Sequence, residues 1–259
     1  MNVFRKSDPT LTALRRVVRV GLAASLLVSA LPLAALAIEF VPPNRGMPGR
    51  REGGGTRGCW GNLSSTPTNS RLTALVPAET FGYTLEASPS FFVYIPDFFA
   101  EKAVAAQFEL VDEAGNRLYS ATYQASEQSG LIRIDLPEDA NFAGLEVGED
   151  YNWAFSLVCD LEDPSGNLVV DSWIQRIEPD EALVATIQAT PPDQLPELYA
   201  QEGIWHDTLT SLADLAEEGA STDPQRWYTL LDAVGLGVVA QELIPEPVSI
   251  LPIPEDAEL

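Results

Sequence analysis

From Leu72 to about Ile177 the apolar residues come in short runs, several alternating with polar residues and each closed by turn formers. The runs are "LTALVP", "FGYTLEA", "FFVYIP", "AAQFELV", "RLYSATYQ", "GLIRIDLP", "YNWAFSLVCD" and "NLVVDSWIQRI". A two-residue apolar period marks strands with one buried face, and many short strands at this spacing predict a sandwich or a barrel. Ala106, Phe108 and Leu110 fall on one face, as do Ile132, Ile134 and Leu136. "DEAGN" (112–116) and "DPSGN" (163–167) carry the residues that hairpin turns need.

In "YNWAFSLVCD", parity puts Tyr151, Trp153, Phe155, Leu157 and Cys159 on the core face and Asn152, Ser156 and Asp160 on the other. Leu145, Gly148 and Tyr151 have the pattern of a tyrosine corner, in which the phenol caps the turn into the penultimate strand of an immunoglobulin-like sandwich. The prediction for residues 72–178 is a mainly β, immunoglobulin-like antiparallel β-sandwich; a barrel shares the rhythm.

After Pro179 the period changes. "DEALVATIQAT" predicts one short helix. Further on, Leu198, Trp205, Leu209, Leu212 and Ala216 form a helical stripe that Gly219 would end. A second helix opens with Asp223 as N-cap and Pro224 at its first position, and Trp227, Leu230, Leu231, Val234 and Val238 line its apolar face. Residues 179–243 thus predict a C-terminal helical hairpin, whose stripes must pack on the sandwich, on each other or on a partner. The tail, 244–259, is proline-rich and acidic, which predicts an extended, mobile segment.

The first 37 residues differ from the rest: Arg5, Lys6, Arg15, Arg16 and Arg19 precede the apolar run "VGLAASLLVSALPLAALA". With Pro32 ahead of Ala35 and Ala37, this is the pattern of a secretory signal peptide cut after Ala37. An uncleaved anchor is the alternative, at the short end of what spans a bilayer. Residues 38–71, rich in Gly, Pro, Ser and Arg, have no apolar period and read as a linker-like arm. The arm contains the sequon "NLS" (62–64).

The whole chain carries 15 basic and 38 acidic residues, a net charge of −23, and removal of the signal leaves 10 against 37. Such acidity excludes nucleic acid and an anionic membrane face as partners, because phosphate affinity needs clustered Lys and Arg. The arm runs the other way. Between residues 41 and 71, Arg45, Arg50, Arg51, Arg57 and Arg71 face Glu52 alone, so attraction would hold the arm to the acidic body.

An exported chain with two cysteines is expected to pair them, here Cys59 with Cys159. Buried free thiols, and a nucleophilic or metal-binding Cys159, are the alternatives; Asp160, Glu162 and Asp163 after it would raise rather than lower its pKa. The single histidine, His206, lacks a nucleophile-elbow serine and has Asp207 beside it, so it reads as a structural residue half-packed at the edge of the helical stripe. No cofactor fingerprint is present. Asp160, Glu162, Asp163 and Asn167 crowd one loop and could offer oxygens to calcium, without the spacing of an established calcium loop. In "DFFAEKA", two adjacent phenylalanines cannot both point inward from one strand, so one is a candidate exposed contact.

The motifs "GGGTRGCW", "LTALVP", "GYTLEASPSFFVYIP", "YNWAFSLVCD", "WIQRIE", "YAQEGIWHDTLTSLADL" and "WYTLLDAVGL" together resemble a cyanobacterial family, domain of unknown function 928, over residues 42 to 240. The resemblance implies an exported protein of that lineage and no established activity. In that family a tyrosine stands where His206 stands here, which weighs against a catalytic histidine.

The functional expectation is a non-enzymatic, periplasmic or extracellular module that binds an envelope or extracellular protein. Tyr151, Trp153, Trp205 and Trp227 would serve as structural anchors. The alternative is a carboxylate-dependent hydrolase of envelope or extracellular polysaccharide, which needs two acids on one cleft, at least one with a shifted pKa.

Overall fold

Alternation in the eight runs becomes eight strands in the computed structural model of the protein, and the tail adds a ninth. They are β1 (Thr73–Ala74), β2 (Phe81–Thr84), β3 (Ser90–Ile95), β4 (Ala105–Asp112), β5 (Arg117–Tyr123), β6 (Gly130–Asp135), β7 (Asp150–Val158), β8 (Leu168–Arg176) and β9 (Val248–Ser249). The helices are α1 (Asp97–Ala100), α2 (Glu181–Ala189), α3 (Leu195–Gln201), α4 (Trp205–Glu217), α5 (Pro224–Ala233) and α6 (Gly237–Glu242). The structure describes residues 38–53, 59, 71–124, 129–138, 142–218, 224–242 and 248–253, all within the unit Leu36–Leu259. The signal segment 1–37, the "NLS" sequon and Asp223 lie outside these residues.

Two sheets form, one ordered β2-β8-β7-β4-β5 and the other β1-β3-β6-β9. Their facing side chains share one core: Phe91, Val93 and Ile95 of β3 meet Phe108 of β4, Trp153 and Phe155 of β7, and Val170 of β8. Trp153 lies 5.0 Å from the Phe91 ring across the two sheets. The sheets are not purely antiparallel as expected, because β2 runs parallel to β8 and β9 parallel to β6. Neither pair is joined by a tight turn, and turn chemistry was the signal on which the antiparallel expectation rested. The corner is built as read: the Glu146 N–H donates to the Tyr151 hydroxyl at 2.9 Å, and Leu145 is buried beside it.

The β1-β3-β6-β9 sheet is covered on both faces. All six residues of β3 are buried, since Phe92 and Tyr94 turn away from the shared core into a second one with Leu131, Trp205, Leu209, Leu212, Trp227, Leu230 and Leu231. The helices therefore form a third layer. The single stripe expected from Leu198 to Ala216 is broken: Gly203 adopts φ +73°, ending α3, and α4 restarts at Trp205. A left-handed residue cannot continue an α-helix, and glycine takes that conformation without steric cost. Likewise α5 stops at Ala233 before Gly235, which leaves Val238 on α6 exposed rather than on the apolar face.

Residues 38–53 are not a loose linker. Ile38 and Phe40 are buried in the helical core, Phe40 meeting Trp205 edge-on at 4.8 Å. The chain then exchanges backbone bonds with Asp171 of β8 at Arg50, and the Arg51 carbonyl accepts from Ala74 of β1, so it closes one open side between the sheets. Alternation cannot reveal such a segment, because its pairing is isolated and two apolar residues suffice to anchor it. Arg45 pairs with Asp150, and Arg51 donates to the Val234 carbonyl at the end of α5 at 2.7 Å, so the basic arm is held partly by charge. The tail was expected to be mobile, but 248–253 closes the opposite side. Val248 and Ser249 pair with Ile132 and Arg133 of β6, and Ile253 donates to the Thr122 carbonyl of β5 at 2.7 Å.

Candidate functional site

Cys159 follows the last residue of β7 and forms a disulfide with Cys59, with the Cα atoms 5.3 Å apart. Both sulfurs are consumed, so neither is a nucleophile or a metal ligand. The loop after Cys159 turns its acids on its own backbone: Asp160 accepts from the Glu162 N–H at 2.8 Å, and Asp163 accepts from the Ser165 N–H at 3.1 Å and its hydroxyl at 2.6 Å. Asn167 is the C-cap of a 3-10 turn at Pro164–Gly166. Among the described residues, no group of three or more His, Cys, Asp or Glu side chains stands together as a metal site would need.

His206 is not half-packed but buried, at 2% exposure. The reason is Gly82 of β2, where an added Cβ would stand 3.0 Å from His206 Cδ2. The missing side chain lets the ring sit against the strand, with Phe91 edge-on at 5.2 Å. Its Nδ1 lies 3.2 Å from the Ser90 carbonyl oxygen. A carbonyl only accepts, so the proton is assigned to Nδ1 and the buried Nε2, which has no protein partner, is left as a bare acceptor. Burial holds the imidazole pKa down at about 4.

Asp207, one residue on, takes a different partner. Its carboxylate accepts from the Leu85 N–H just past β2 at 3.2 Å, and burial pushes its pKa up to about 7 against the opposing pull of Thr84 and Leu85. Among the described residues a Ser-His-Asp set is not assembled, because the Ser90 hydroxyl donates to Asp135 at 2.6 Å and the His206 ring bonds the Ser90 carbonyl rather than a hydroxyl or carboxylate. At 7% exposure Asp207 is packed against the end of β2, and its raised pKa comes from that burial.

The remaining anchors are packed. Tyr151 and Trp153 belong to the inter-sheet core, and Trp205 and Trp227 to the helical one. In "DFFAEKA" the two phenylalanines lie on the helical turn α1 rather than on a strand, which resolves their parity conflict. Phe99 is buried, and Phe98 is half-buried with Lys102 Nζ 3.6 Å from its ring centre. That segment therefore presents no bare aromatic face.

An exposed element among the described residues is α2. Asp180 caps it, accepting from the Leu183 N–H at 2.8 Å, yet none of its nine residues is buried. Leu183, Val184 and Ile187 stand on it with Val184 36% exposed. In the sequence this helix was legible, but its exposure was not.

The class is a β-rich body in which two sheets share one core, helices cover one sheet, and Cys59 is bridged to Cys159. The family model described as Domain of Unknown Function (DUF928) matches residues 52–244, and the chain belongs to that family. No curated protein and no solved structure matches the chain.

Proposed function

We propose that the protein is an exported, non-enzymatic interaction module of a cyanobacterial envelope or its surroundings. A signal peptide cut after Ala37 would deliver it, with an immunoglobulin-like sandwich as its body and residues 179–243 as a helical extension. The Cys59–Cys159 bridge supports export, because such bridges persist in oxidising compartments.

The observation that carries the interaction reading is α2, a capped helix with no fully buried residue, on which Leu183 and Ile187 are half-buried and Val184 is 36% exposed. From Glu178 to Glu202 the chain holds Glu178, Asp180, Glu181, Asp193, Glu197 and Glu202 and no Lys or Arg. The fitting partner is a protein groove with an apolar floor and a basic rim, in the helix-in-groove mode. Mild crosslinking and co-purification from the native envelope test this. A specific partner is expected with the wild-type chain and a much weaker one with Leu183→Asp/Ile187→Asp; recovery of no partner counts against the reading.

A further inference from the structure

The tail closes the side of the body between β5 and β6 with few bonds. It pairs two residues with β6, adds the Ile250 N–H to the Arg133 carbonyl at 3.3 Å, then crosses to β5 at Pro252 and Ile253. Ile250 packs on the inter-sheet core while Leu251 is 84% and Val248 43% exposed. Pro247, Pro252 and Pro254 each lack an N–H, so the tail sequence cannot build a longer ladder. Among the described residues, edges of six and seven residues meet a tail strand of two.

Sheet edges with unpaired backbone groups accept added strands, and an alternating apolar side chain seated between the sheets would fix the register. We propose that the slot between β5 and β6 is a strand-acceptor site, that the tail is its built-in and replaceable occupant, and that its ligand is an extended segment of another protein. That segment has apolar residues at alternate positions, one taking the place of Ile250, and lacks the prolines that limit the tail. The slot is built from different elements than α2, so its test can fail while that reading stands.

The probe is a fluorescein-labelled peptide of residues 246–255, together with a version carrying Pro252→Thr, titrated into the full chain and its Ile250→Asp variant by anisotropy. The variant loosens the tail, so it is expected to bind the peptide at least tenfold tighter than wild type, and the Pro252→Thr peptide more tightly still. Equal affinity for the two chains, or no binding to a variant with a native melting curve, overturns the proposal. If Ile250→Asp does not fold, Val248→Asp, at a partly exposed position, replaces it with the same expectations. A chain that dimerises through this slot, with the dimer dissolved by the peptide, reassigns the site to a second copy and overturns the choice of a different protein.

Discussion

His206 and Asp207 are consecutive and buried together at the start of α4, and burial drives their acidities past each other, the imidazole down to about 4 and the carboxyl up to about 7. Relative to the unfolded chain, the folded histidine lacks a proton between about pH 4 and 6.5, so its contribution to stability rises with pH. The folded aspartic acid holds an extra proton between about pH 4 and 7, so its contribution falls. In the shared window the two slopes cancel, and folding amounts to moving one proton from the histidine to its neighbour.

Each single substitution should uncover the other slope. Asp207→Asn is expected to make stability rise by ~3 kcal/mol between pH 4 and 6.5, and His206→Phe to make it fall by a similar amount between pH 4 and 7. Urea titrations at half-unit pH steps read this directly. Parallel profiles for wild type and both variants would remove the account.

Phe40 anchors the arm against Trp205. Phe40→Ala is expected to cost ~3–5 kcal/mol and to free the chain after it, so trypsin should cut at Arg45, Arg50 or Arg51 much faster than in the wild type. A destabilised variant whose arm stays uncut would mean that the ion pairs alone hold it.

The disulfide spans 100 residues of sequence. In the chain-entropy model such a loop is worth ~4–5 kcal/mol, and the Cys59→Ser/Cys159→Ser chain should melt correspondingly lower. Alkylation followed by intact-mass measurement should add two groups only after reduction. The same mass, taken on protein from its own host, would give the first residue and test the cut after Ala37.

Arg226 of α5 grips Glu197 of α3 with two bonds, at 2.9 and 2.7 Å, with the two side chains 16% and 13% exposed. Arg226→Ala should cost ~1–3 kcal/mol because it leaves a part-buried carboxylate without its partner, whereas Arg226→Met/Glu197→Leu should be close to neutral. Chemical denaturation of the three chains checks the difference.

What was legible in the sequence follows from which forces are local. Strand alternation and the Tyr151 corner depend on near neighbours, and so does the span of α2. The pairing of Cys59 with Cys159 came from there being only two cysteines. The third layer was written in "SFFVYI", whose unbroken apolar run requires cover on both faces, but beside so many alternating strands it reads as ordinary core. The parallel strands, the docked arm and the docked tail depend on partners far away in the chain and leave no local period. His206 was misplaced because its burial is set by Gly82, a residue that signals only by what it lacks.

The arm has one more effect, on the order of events during synthesis. Its partners include Asp171, Ala200 and Val234, made more than 100 residues after it, and the opposite side waits for residues 248–253. Contacts this distant in sequence make folding slow and forbid completion before the last residues have left the ribosome. For the export proposed above, that delay would leave the chain easier to thread while it is being made.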